Sequence, residues 1–381
     1  MNAIYLDHAA TSPMHPKVIE EMTKCMHDQY GNPSSVHSFG RKSRQILDRA
    51  RLVAAQSIGA NEKDIVFTSG GTEADNLAIL GVANESTKGK HIITTKIEHH
   101  AVLHTTEYLE KHGYRVTYLD VDEDGLVSVE ELKRALTDDT ILVTVMMVNN
   151  ETGVIQPIRE IGEMLRDHPA VFHSDAVQAY GMLPINVQEL GGVDLLTVSS
   201  HKINGPKGLG FLYSHPNVRL NPRQFGGEQE RKRRPGTENV AGIAGFTEAI
   251  KLAQAERELR YEMYLHYNQT FIHVLKEEGV HFEINGNDSP RVPTITNISF
   301  PGTNVEQLLT NFDLSGVAAS SGSACTAGSV EPSHVLSAMF TENSACTTNS
   351  IRFSFGLANN EENILEAARR VAQIVKRLTT N

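Results

Sequence analysis

The chain has 381 residues, enough for two or three domains around a sizeable core. Its net charge of −11 argues against a general nucleic-acid binder, which needs a basic face. The first residues lack a signal-peptide core, no apolar run approaches a membrane span, and the three widely spaced cysteines fit neither a disulfide framework nor a zinc pattern, so a cytoplasmic protein is expected.

Residues 1–13 read as an extended arm, followed by a helix from about Pro16 to Asp28 and a long amphipathic helix from about His37 to Ile58. Residues 64–76 then read as a short strand, a glycine turn and a helix start. There the backbone amides of Gly71 and Thr72, with the Thr72 hydroxyl, would form a phosphate cup at a helix amino end. The segment matches neither the P-loop nor the dinucleotide fingerprint, so nucleotide cofactors are disfavoured. After a strand at 91–95 come His99 and His100, which as neighbours point in different directions and make a poor metal pair. Residues 120–131 match a calcium loop of the EF-hand type, with acids at 120, 122, 124 and 131 and Gly125 at the sixth position. The preceding residues 114–119 alternate as a strand where such a loop needs a helix, so a strand-to-helix turn is expected instead.

A buried strand over 140–148 ends at Asn149 and Asn150, and another over 170–174 ends at Asp175 and Gln178. The β-branched run 193–199 delivers Ser199, Ser200, His201 and Lys202 before it breaks at Gly205 and Pro206. Residues 208–213 return antiparallel or at an edge. Strands alternating with helices predict an α/β fold with a mainly parallel sheet covered on both faces, where ligands bind at the carboxyl ends of the strands. Residues 228–239, which include Arg231 and Arg234, are expected as solvated surface. Long helices reach Glu277, and strands at 294–300 and 350–355 with a last helix over 361–378 predict a smaller α+β domain. The division is 13–250 for the large domain, and 1–12 with 251–381 for the small one.

A lysine and an aspartate at strand ends, a phosphate cup and several hydroxyls suit pyridoxal 5'-phosphate. That cofactor needs an amine for its aldehyde, a carboxylate for its ring nitrogen and donors for its phosphate. A lysine partly desolvated at a strand end has a lowered pKa, which makes its neutral amine available for such a bond. With residues 5–11, 200–208, 320–326 and 350–356 in view, the sequence resembles the NifS/IscS group of cysteine desulfurases. That group lies within the class V aminotransferase-like pyridoxal-phosphate enzymes. In detail it resembles the Gram-positive type associated with tRNA thiolation.

The resemblance implies the fold of pyridoxal-phosphate transferases (the aspartate-aminotransferase type) and a set of roles. Lys202 would bond the cofactor aldehyde, Asp175 would pair with its ring nitrogen, and Gln178 would meet its phenolic oxygen with Asn150 nearby. Gly71, Thr72, Ser199 and His201 would hold the phosphate, with Ser200 giving its backbone. Thr237 would reach the phosphate of the other subunit in a homodimer. His99 would stack on the ring and move protons, and Arg352 would clamp the substrate carboxylate. Ser-Ala-Cys-Thr occurs twice, and Cys325, in an aperiodic Ser/Gly/Ala run of the small domain, is chosen as nucleophile over Cys346; Cys25 is packing. The implied reaction turns L-cysteine into L-alanine and leaves a persulfide on Cys325 for an iron–sulfur scaffold or a tRNA thiolase. The alternatives are a selenocysteine lyase or another pyridoxal-phosphate lyase or aminotransferase. An aminotransferase has no use for Cys325.

Overall fold

The structure, a computed structural model, describes residues 3–322, 332–341 and 343–379. After the short strand β1 (Ile4–Tyr5), α1 (Pro16–Asp28) starts at a proline that needs no amide partner, and the His15 side chain accepts the Lys17 N–H. The chain continues through α2 (Ser38–Gln56), β2 (Ile65–Thr68), α3 (Gly71–Glu85), β3 (His91–Thr95), α4 (His100–Glu110) and β4 (Arg115–Leu119). Then come α5 (Val129–Ala135), β5 (Thr140–Thr144), α6 (Ile158–Leu165), β6 (Val171–Asp175), β7 (Leu195–Ser199) and β8 (Gly210–Ser214).

These seven strands, β2 to β8, form one sheet of order β2-β8-β7-β6-β5-β3-β4. The returning strand β8 runs antiparallel to both neighbours and lies inside the sheet, with β2 outside it at the edge. Strands β2, β3, β5, β7 and β8 are buried along their whole length, as helices on both faces require. The strand expected over 140–148 ends as a regular ladder at Thr144. Beyond it the Met146 N–H leaves the sheet for the Glu98 carboxyl at 2.9 Å, while Val145 and Met147 still donate to carbonyls of β6. The acidic loop after β4 is a strand-to-helix turn. The Asp122 carboxylate accepts the N–H groups of Asp124 and Leu126, and Ser128 caps α5.

Helix α7 (Val240–Ala255) packs on the same core, against α1 and α2. A second core follows, built from α8 (Arg257–Glu277), β9 (Glu283–Ile284), β10 (Ile295–Ser299), α9 (Val305–Leu314) and β11 (Val317–Ala318). Helix α10 (His334–Met339) packs apart from it, its Val335, Leu336 and Met339 clustering with Ile97, and the chain ends with α11 (Cys346–Asn349), β12 (Ser350–Ser354) and α12 (Glu361–Thr379). Strands β12, β10 and β9 form an antiparallel sheet, while β1 from the amino-terminal arm pairs in parallel with β11. Leu6 joins Phe271, Phe312 and Phe353 in this core, and α12 covers it with a helically spaced stripe from Ile364 to Val375.

The charged coil at 228–239 is not simply solvated surface. Glu230 is buried, with its two oxygens 2.7 and 2.8 Å from the Arg51 guanidinium and a further bond from the Phe67 amide. Glu230, Arg231 and Lys232 take left-handed φ values of 46°, 56° and 66°. Such residues cost on the order of 1 kcal/mol each. The buried bidentate pair offsets that strain, because Arg51 would otherwise hold an uncompensated buried charge.

Candidate active site

The carboxyl ends of the parallel strands and the amino end of α3 open into one cavity of about 260 Å³. After β7 a 3-10 turn (Ser200–Ile203) swings Lys202 into it, and Asn204 closes the turn in a left-handed conformation, φ 63°. Lys202 Nζ donates to the carbonyls of Ala9 and Ala10, the latter at 2.8 Å. Gln178 donates to the Ala9 carbonyl at 3.0 Å, and His201 Nδ1 meets the Thr11 hydroxyl at 3.1 Å. The amino-terminal arm is therefore one wall of the site.

Asp175 ends β6 and accepts the Val177 N–H at 2.8 Å. Burial pushes its carboxyl up to about 6, against the Val177 bond and the Lys202 charge, which both favour the ionised form. His99 caps α4, its Nδ1 accepting the Ala101 N–H at 3.1 Å, so the neutral ring carries its proton on Nε2. Burial, then the Lys202 charge, push His99 down to about 4. At the other wall, Gly71 and Thr72 are the first residues of α3, whose opening amides have no partner within the helix.

Arg352 projects from β12. Its Nη1 donates to the Asn150 carbonyl at 2.9 Å, and its Nη2 donates to Asp7 at 3.0 Å and to the Ser320 hydroxyl at 2.9 Å. Its Nε and the Asn150 side-chain oxygen are buried without hydrogen-bond partners among the described residues.

Ser199 also lines the cavity, but Ser200 and Thr237 do not. The Ser200 hydroxyl is buried behind the turn, so tight against Gly205 that an added Cβ there would meet it. Thr237 is exposed, three residues beyond Arg234, which pairs with Glu73 of α3 at 2.9 Å. Cys325 lies outside the described residues; Gly322, shortly before it, lines the cavity. Cys25 is buried in α1 and Cys346 is half-buried at the start of α11.

Sequence reasoning missed four acids of the site. Asp7 pairs with Arg352, while Glu151, pushed up by burial, accepts the Ser333 hydroxyl at 2.5 Å. Asp75 and Glu98 are buried near Asp175. Asp75 did leave a signal, as an acid one turn after Gly71 among Ala74, Leu77 and Ala78.

Residues 4–366 match the family model described as aminotransferase class-V. The chain belongs to the aminotransferase class-V family. Within it the chain is 60% identical over 380 residues to IscS 1 of Bacillus subtilis strain 168, with 100% of both chains covered. It is 46% identical to the cysteine desulfurase IscS of Dictyoglomus turgidum, covering 99% of this chain and 95% of that one. Among solved structures, a NifS-like protein superposes with a TM-score of 0.90 at 33% identity, covering 98% of this chain and 100% of that one.

Pyridoxal 5'-phosphate is the cofactor of this aminotransferase class-V chain. The residues present fit it. One cavity holds an amine, a buried carboxylate and a helix amino end, and the Asn150 oxygen and Arg352 Nε, without partners among the described residues, leave polar atoms for a ligand to satisfy.

Proposed function

We propose that the chain is a pyridoxal-phosphate-dependent cysteine desulfurase that converts L-cysteine to L-alanine and takes the sulfur onto Cys325. The observation that carries this reading is the single cavity shared by Lys202, Asp175, His99 and Arg352. Bound pyridoxal phosphate supplies an electron sink for the pair left on the substrate Cα. The chain's own residues do the rest. Asp175 would hold the ring nitrogen, Gly71, Thr72, Ser199 and His201 would hold the phosphate, and Gln178 would meet the phenolic oxygen with Asn150 nearby. Arg352 takes the substrate carboxylate, Lys202 removes the Cα proton, and His99, neutral near pH 7, moves a proton at the sulfur. The Cys325 thiolate attacks the substrate sulfur, an S–S bond forms as the C–S bond breaks, and the electron pair returns to carbon. L-cysteine and a thiol thus become L-alanine and a persulfide.

In this reading residues 13–250 form the cofactor domain, and residues 1–12 with 251–381 form the small domain that carries Cys325. Thr237 completes the phosphate site of a partner subunit in a homodimer. The persulfide sulfur passes to an acceptor protein, an iron–sulfur scaffold or a tRNA thiolase.

The test is incubation with L-cysteine, followed by alanine assay and mass measurement of the intact protein. The reading requires alanine and one added sulfur atom per chain. Cys325→Ala should still change its absorption on adding L-cysteine, yet form almost no alanine and carry no sulfur. Alanine release by that variant at the parent rate would make the enzyme a different cysteine lyase.

A further inference from the structure

Helix α3 carries, among its buried residues, one acid that the reaction above does not use. Asp75 is 1% exposed and lines the same cavity as Asp175. One turn earlier the helix supplies Gly71 and Thr72, so Asp75 is fixed at the floor of the site. Below it His173 and Asp175 lie two residues apart on β6 and so share a face, and Thr197 of β7 pairs in register with Asp175. Asp75 Oδ1 is 3.6 Å from His173 Nε2, beyond hydrogen-bond reach, and has no hydrogen-bond partner among the described residues. The Thr197 hydroxyl is hydrogen-bonded to the Asp75 carboxyl, a contact that favours the ionised form against the burial that raises its pKa, and lies 3.0 Å from His173 Nε2, while His173 Nδ1 meets the Thr144 hydroxyl at 2.8 Å.

Every ionisable neighbour makes a charge on Asp75 costly. His173 of β6 is fully buried and pushed down to about 3, so it offers no positive charge. Asp175 of β6 is negative, and Glu98, just ahead of the α4 cap, is a third buried acid. From β2, β8 and α4 the helix meets Val66, Leu212 and Val102, which are apolar. Lys202 acts on Asp175. Two carboxylates buried side by side in one site cannot both ionise cheaply.

We propose that Asp75 and Asp175 are a one-proton carboxyl pair in which Asp75 holds the proton, making Asp75 a positioning residue that leaves Asp175 ionised for the cofactor ring nitrogen. A protonated Asp175 would hold a protonated ring nitrogen poorly, so the proton on Asp75 is what keeps the proposed partner competent. The Thr197–His173–Thr144 chain accommodates it, because each hydroxyl can donate in either direction. The inference rests on the reading of Asp175 as the partner of the ring nitrogen, but its first measurement uses cofactor-free protein and is independent of that reading.

The experiment is infrared spectroscopy of cofactor-free protein carrying carbon-13 in its aspartate carboxyls, near pH 7. The expected result is an isotope-shifted carbonyl band of a protonated aspartate, lost in Asp75→Asn and retained in Glu98→Gln. If Asp75→Asn does not fold, Asp75→Ala must remove the same band. Cofactor affinity is then titrated against pH. Parent and Asp75→Asn should agree within about threefold near pH 7 and diverge at alkaline pH, where only the parent gains a second charge. A band that survives in both Asp75 variants, or an affinity more than about tenfold weaker in Asp75→Asn near pH 7, overturns the proposal. The second outcome would mean that Asp75 itself is the ionised partner. Loss of the band in a protein that binds no pyridoxal phosphate would instead leave the carboxyl pair standing and defeat the cofactor reading.

Discussion

Arg352 of β12 and Asp7 of the amino-terminal arm form an ion pair at 3.0 Å, with the Arg352 side chain 4% exposed. The pair joins the small antiparallel sheet to the wall that also carries Ala9 and Ala10, the acceptors of Lys202. It fixes one edge of the guanidinium and leaves Nε without a hydrogen-bond partner among the described residues. The Asp7 carboxylate thus acts on the proposed substrate clamp from behind.

Asp7→Asn tests that relation. Losing a charge-assisted bond of on the order of 1.5–3 kcal/mol frees Arg352 to reorient. The KM for L-cysteine should rise about tenfold with a smaller change in kcat, read by steady-state alanine formation. An unchanged KM would detach Arg352 from the substrate carboxylate.

Lys202 faces the cavity, whereas Lys207 is exposed beyond the turn. Borohydride reduction of the yellow holoprotein should therefore fix the cofactor on the peptide containing Lys202, as seen by peptide mass mapping. Label on Lys207 would sink the assignment.

Asp175→Asn should still bind pyridoxal phosphate through Lys202 and the amino end of α3. A neutral amide holds a ring proton less well, so turnover should fall at least about tenfold for the loss of one charge-assisted bond. Near-normal turnover would transfer the role to another acid.

Glu98 is buried, one oxygen accepting from Thr95 and Met146 and the other without a partner among the described residues, and burial pushes its carboxyl up to about 8. Its folded pKa thus lies above its unfolded value near 4.5. The unfolded chain releases that proton first, so Glu98 weakens the fold progressively from about pH 4.5 to 8 and keeps its full cost above. Glu98→Gln should gain stability over the parent by at least ~1 kcal/mol more at pH 9 than at pH 5, measured by urea unfolding. A pH-independent difference would show Glu98 ionised in the folded protein.

The sequence by itself determined the alternation of strands and helices, because periodicity and glycine breaks are local. It also marked Lys202, Asp175, Gly71 and Thr72, whose strand-end and helix-start positions are written in their neighbours. Other features depended on distant chain. The depth of β8 in the sheet rests on its pairing with β2, far away in sequence, and the early end of the β5 ladder rests on Glu98. Glu230 read as solvated surface because its partner Arg51 lies 179 residues away. The acids Asp7, Glu98 and Glu151 stayed hidden for the same reason, and Asp75 showed only as an acid among apolar helix residues. A carboxyl's role is set by what surrounds it in space, and only the packing of α3 on β6 and β7, and of the arm on β12, brought those surroundings together.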